Sequence, residues 1–197
     1  MKIYTHEELP QGSEAWIKIR IGKFGGTDAQ AVSANGKGLE TKCYEKVGEI
    51  ITGRPKSTYI NPDMERGNEL EQTARLAYEI KTGNMVTQVG YIELNDRVGV
   101  SPDGLVGEDG MVEIKCPTDA NFIKFMVNKK PETKYVWQMQ HQMYVSGCKW
   151  VDFVVYNDNL DKIETLRIDR DEEKIAKIKK GLESGIKMVD EILEKVK

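Results

Sequence analysis

The sequence predicts a mixed α/β (α+β) domain, and three observations carry that expectation. Apolar residues recur at helical spacing in the first third of the chain and again at its end. The middle, from Gly90 to Cys116, switches to short alternating runs punctuated by Asp109-Gly110, a strong hairpin signal. Two further strands, Trp150–Tyr156 and Lys162–Ile168, follow a pair of helical segments. Helices, a strand meander, two helices, two strands and a closing helix in that order make an α+β or mixed α/β chain.

Each element has its own signal. Ser13–Ile21 reads as a helix stopped by Gly22. The run "GGTDAQAVSA" is a Gly-Gly bend leading into a helix start, with Thr27 or Asp28 as N-cap. Thr41–Thr52 is a helix closed by Gly53. "STYINPDMERG" reads as a loop. Asn68–Lys81 then shows a stripe of Leu70, Ala74, Ala77 and Tyr78 ending at Gly83. Gly90–Leu94, Val98–Ser101 and Met111–Cys116 are strands, and Asp119–Asn128 and Thr133–Ser146 are helices. In the last helix Ile175, Ile178, Leu182, Ile186, Val189, Leu193 and Val196 step by three or four, a core-packing face.

Composition narrows the function classes. At 197 residues with no linker or repeat, a single domain spanning 1–197 is expected. With 31% charged residues and a net charge of −3, it reads as an ordinary globular chain, and a nucleic-acid face would have to be local. No apolar run approaches the roughly 20 residues of a membrane span, and the first residues lack a signal-peptide pattern. Cys43, Cys116 and Cys148 are scattered, which fits reduced thiols in a cytoplasm and disfavours a structural zinc or iron–sulfur cluster.

The segment "GVSPDGLVGEDGMVEIKCP" raises the chemical question. Alternation puts Glu113 and Lys115 on one face of their strand and Ile114 and Cys116 on the other. Asp103, between Pro102 and Gly104, can lie beside Glu113 across the hairpin. Two carboxylates that close repel unless a cation sits between them. A hard divalent ion takes one or two carboxylates and keeps other positions for water and phosphate. A Glu-x-Lys pair on a strand is most often a solvated face, and adding Pro-Asp at the bend brings the two readings level.

"SPDGL…EIKCP" resembles the signature of the PD-(D/E)xK nuclease superfamily. More narrowly, the chain resembles the phage lambda exonuclease and YqaJ-like viral recombinase family. "AWIKIRIGKFGGTDA", "RGNELEQTARLAYE" and "YVWQMQHQMYVSG" match its other blocks, in the same order. The resemblance implies a restriction-endonuclease-like core with a central mixed sheet. It implies Asp103, Glu113 and the Ile114 carbonyl as metal ligands for Mg²⁺ (Mn²⁺ substituting), and Lys115 activating the attacking water. Glu71 would add an acidic contact, Glu93 an outer ligand or a DNA-positioning acid, and Gln138 a hold on the water or a phosphate oxygen. On their own, Glu71 reads as one charge on a wet helix and Gln138 as a satisfied polar residue.

Arg20 supplies a bidentate donor and Thr27 a hydroxyl beside a helix start, a combination that can cradle a terminal 5′-phosphate, as the matching residues do in the family. A capped helix beside a surface Arg explains them equally well. Lys124, Lys129, Lys130 and Lys134 could line a backbone track. The resemblance implies 5′-to-3′ exonuclease digestion of linear double-stranded DNA to 3′ tails. It also implies a phage or prophage setting in a bacterial cytoplasm, a single-strand annealing recombinase as partner, and a homotrimer. An endonuclease of the same superfamily and a catalytically silent DNA-end binder remain the alternatives.

Overall fold

The computed structural model describes residues 1–56 and 62–196. Seven α-helices and eight strands occur along the described residues, in runs rather than in alternation. In chain order they are β1 (Lys2–Thr5), α1 (Glu14–Ile19), α2 (Ala29–Ala34), α3 (Lys37–Thr52), α4 (Pro62–Thr82), β2 (Val86–Thr87), β3 (Val89–Asn95), β4 (Val98–Val100), β5 (Gly104–Val106), β6 (Gly110–Lys115), α5 (Asp119–Asn128), α6 (Thr133–Ser146), β7 (Trp150–Asn157), β8 (Lys162–Asp169) and α7 (Glu172–Val196). No described helix is long and apolar enough to cross a membrane.

The strands form a three-stranded sheet in the order β1-β3-β4 and a five-stranded sheet in the order β2-β5-β6-β7-β8. Within the larger sheet β6 and β7 run parallel and the other neighbours antiparallel. A parallel pair needs a long crossover, and α5 and α6 provide it. They cover one face of this sheet, burying Phe122, Phe125, Met139 and Met143 against Met111, Val151, Phe153 and Val155. On the opposite face, Ala74 and Tyr78 of α4 pack on Val106, Val112, Ile114 and Val154. Helix α6 also lies against β3 and β4 of the smaller sheet, and Val32, Leu39, Cys43, Ile178 and Leu182 of α2, α3 and α7 join Ile92, Val98 and Val100 in one apolar core. The fold class is therefore the mixed α/β arrangement expected.

Several expectations need correction. The residues 57–61 of the expected loop lie outside the described residues, but Pro62–Gly67 are helical. Proline suits the first helical position, and Asp63 and Glu65 favour the first turn's positive end. The hairpin turn is Gly107-Glu108-Asp109 rather than Asp109-Gly110, because Val106 pairs with Gly110. Gly107, the first residue of this loop, takes the left-handed conformation (φ 57°) that glycine adopts without a Cβ penalty. Gly110 opens β6 under the Trp150 ring, where a Cβ would come within 2.1 Å of a ring atom. The Thr27–Asp28 segment is a 3-10 turn (Gly26–Asp28), and neither side chain caps α2.

Candidate active site

The residues around β6 converge at one end of the large sheet, on the floor of a cavity of about 690 Å³. Gly104 pairs with Val112, so the antiparallel register carries Asp103 toward Glu113. Past the last backbone pair, the Asp103 side chain continues the ladder: Ile114 N–H donates to its Oδ2 at 2.6 Å. Burial, and then the Glu113 charge, push the Asp103 carboxyl well above the usual carboxylate range; Lys115 opposes this and Glu71 adds to it.

Glu113 is 1% exposed and is held by three donors. Gln138 Nε2 donates to Oε1 at 2.6 Å, Gln142 Nε2 donates to Oε2 at 2.7 Å, and Lys115 Nζ lies 2.5 Å from Oε1. Lys115 also donates to the Ile114 carbonyl at 3.1 Å. Burial pulls the Lys115 ammonium down, but Glu113 and Asp103 outweigh it and hold its pKa above the ordinary value. Glu71 borders the cavity from α4, with Arg75 Nη2 2.5 Å from its Oε1. The helix therefore turns Glu71 toward the sheet rather than open water.

The donor set suits a hard cation. Asp103, Glu113 and the Ile114 carbonyl offer only oxygen, and the mutual repulsion at Asp103 is what a divalent ion would relieve. Among the described residues no three His, Cys, Asp or Glu side chains group at metal-ligand geometry. Two carboxylates and a carbonyl would leave the remaining positions to water and phosphate, the habit of Mg²⁺. Lys115 now occupies the Ile114 carbonyl and would have to yield it. Glu93 is not brought to this site. It lies on β3 of the smaller sheet, opposite Lys2, and pairs with Lys23 and with the Tyr4 hydroxyl at 3.3 Å.

Arg20 and Thr27 border the same cavity as Asp103 and Lys115. The Arg20 guanidinium lies 3.7 Å over the Trp16 ring. That ring is fixed in turn, its indole N–H donating to Gly90 O at 3.0 Å and to Ser101 Oγ at 2.8 Å. The Thr27 turn is fastened from behind by Asp28, which accepts the Gly25 N–H at 3.1 Å and pairs with Lys42 at 3.2 Å and Lys46 at 3.4 Å. Burial pushes the Asp28 carboxyl up, but Lys46, the Gly25 amide and Lys42 hold it below its ordinary value. Of the expected lysine track, Lys124, Lys130 and Lys134 border the cavity, whereas Lys129 turns to Glu164 at 3.0 Å.

Sequence reasoning gave no role to Trp16, Arg75 or Gln142. Gln138 and Gln142 are four positions apart and share a helix face, a spacing that could have paired them.

The YqaJ-like viral recombinase domain model matches residues 15–149. Among solved structures the chain is similar to an alkaline exonuclease, LHK-Exo, from Laribacter hongkongensis. The TM-score is 0.86 at 35% identity, covering 93% of this chain and 96% of that one. The same enzyme in complex with dAMP matches with a TM-score of 0.86 at 34% identity and the same coverage. A phage related exonuclease from Haemophilus somnus 129PT shares the fold at 19% identity, with a TM-score of 0.68 over 89% of this chain and 96% of that one. No curated protein sequence compared with it matches significantly. The match over more than half the chain, together with the coverage of LHK-Exo, places this chain in the YqaJ-like viral recombinase domain family.

Proposed function

We propose that this chain is a Mg²⁺-dependent exonuclease that hydrolyses linear double-stranded DNA from its 5′ ends and leaves 3′ single-stranded tails. The observation that carries the reading is that Asp103, Ile114 and Lys115 border the same cavity as Arg20 and Thr27, with the buried Glu113 carboxylate directly behind them, paired to Lys115. Its similarity to an enzyme described as an alkaline exonuclease supports the same class of chemistry.

Asp103, Glu113 and the Ile114 carbonyl would hold the cation. When bound, that ion would stabilise charge on the scissile phosphate and make water more acidic. Gln138 and Lys115 bracket the same Glu113 oxygen and orient it. Once released from the Ile114 carbonyl, the Lys115 ammonium can hold the attacking water by hydrogen bonding and offset charge on the phosphate. Attack on phosphorus breaks the bond to the leaving 3′ oxygen, which takes up a proton, and no enzyme-linked intermediate is needed. Arg20 and Thr27 would hold the terminal phosphate, and Lys124, Lys130 and Lys134 the backbone. End-wise hydrolysis releases deoxynucleoside monophosphates, the class to which the dAMP in the LHK-Exo complex belongs.

The 3′ tails would suit a single-strand annealing recombinase, and three copies closed around duplex would keep the enzyme on its track. The test uses linear duplex labelled at each 5′ and 3′ end in turn, with Mg²⁺ or EDTA. Early release of the 5′ label, in Mg²⁺ only, is the expected result. Early release of the 3′ label, or cutting in EDTA, rejects the direction or the metal.

A further inference from the structure

One polar contact on the cavity floor is not required by the chemistry above. Gln142 is 1% exposed and donates to Glu113 Oε2 at 2.7 Å. Gln138, one turn earlier on α6, grips the other oxygen at 2.6 Å. Gln142 also borders the cavity, and its own Oε1 is buried with no hydrogen-bond partner in the structure. An unpaired buried acceptor destabilises a fold, so a residue that merely filled this space would be apolar. Met139 and Met143 of the same helix fill space in that way, wholly buried in the apolar core.

We propose that Gln142 is a positioning residue for the metal-binding carboxylate. Two amides four residues apart on one rigid helix hold one carboxylate oxygen each, so the Glu113 carboxylate cannot rotate about its terminal bond. Its remaining lone pairs then keep one direction before a cation arrives. Groups that orient a ligand in this way strongly influence metal affinity. The inference rests on the nuclease reading for its kinetic arm only, because ion binding can be measured without DNA.

Gln140 provides the comparison. It is equally buried on α6, but its amide serves Asp169 O at 2.8 Å and Asp171 N–H at 2.8 Å, at the junction of β8 and α7. Mn²⁺ binding to wild type, Gln142→Met and Gln140→Met is followed by the paramagnetic resonance signal of the free ion. The Mn²⁺ dependence of DNA cleavage is measured alongside. Gln142→Met is expected to raise both the dissociation constant and the half-saturating Mn²⁺ concentration by about 10-fold, the lower end for loss of an orienting partner. Turnover at saturating Mn²⁺ should change far less. Gln140→Met should lower Tm and leave both Mn²⁺ constants unchanged. If Gln142→Met fails to fold, Gln142→Asn, whose shorter amide cannot span the same distance, takes its place. Unchanged Mn²⁺ constants in the Gln142 variant, or an equal shift in Gln140→Met, overturns the proposal. If wild type binds Mn²⁺ but cuts no DNA, the nuclease reading falls while the binding arm still decides Gln142. No Mn²⁺ binding by wild type overturns both.

Discussion

Lys115 Nζ lies within hydrogen-bond reach of both Glu113 and the Ile114 carbonyl, so its ammonium stands where an arriving cation would go. If it then positions the water, Lys115→Ala should lower turnover by on the order of 10²-fold or more, the scale for removing one preorganised electrostatic group. Duplex affinity should hold, since one contact among many is lost; single-turnover rates and a binding isotherm on the same variant check both. Arg20 leads to a second expectation. A terminal phosphate carries more charge than an internal one, so 5′-phosphorylated duplex should be digested faster than 5′-hydroxyl duplex. Arg20→Ala should bring that ratio close to one, mainly by slowing the phosphorylated substrate. Trp16→Leu removes the platform under the guanidinium, a cation–π contact worth about 0.5–1 kcal/mol, and should cut the ratio by about two- to fivefold. Equal slowing of both substrates would make Arg20 a general backbone contact.

At the scale of elements, strongly periodic segments were legible. Helices α5 and α6 have the boundaries their patterns predict, and the stripe on α7 is buried at Ile175, Ile178, Leu182, Val189 and Leu193, with Ile186 half-buried and Val196 exposed. Strand β1 was not legible: it has four residues, three of them exposed, and exists only through its pairing with β3. The same distinction holds for the site. Asp103, Glu113 and Lys115 could be placed together because strand alternation and a hairpin are local rules. Glu93 could not be assigned by such rules, because which sheet β3 joins is a tertiary matter; it belongs to the smaller one, where Lys23 takes its charge. Gln142 was hidden because a glutamine on a helix reads as solvated until the sheet beneath it is known. Packing between elements leads to another prediction. A Cβ on Gly181 of α7 would fall 1.9 Å from the Val32 carbonyl oxygen of α2. Gly181→Ala must push the two helices apart, at a cost of about 1–3 kcal/mol as for other overpacked cores. Urea denaturation should show a lower midpoint with an unchanged slope.

For the whole molecule, oxygen-only donors predict activity with Mg²⁺ or Mn²⁺ and none in EDTA. Ca²⁺ should support DNA binding with little turnover, because its looser coordination misplaces the water. Covalently closed circular duplex offers no end to Arg20 and Thr27, so it should survive conditions that consume the same DNA once linearised. Nicking or linearisation of the circle on a gel would indicate internal cutting.

The short bond from the Ile114 amide to Asp103 makes one backbone proton a resident observer of the site. A hydrogen bond to a charged carboxylate is stronger than one to a neutral acid, so this amide reports the charge on Asp103. In a ¹⁵N–¹H correlation spectrum the Ile114 resonance should therefore move downfield as Asp103 ionises. An ion drawing charge from Asp103 would shift it, as would Asp103→Asn. Cation loading could then be followed at a single atom, with no substrate, dye or mutation, in the protein as it folds.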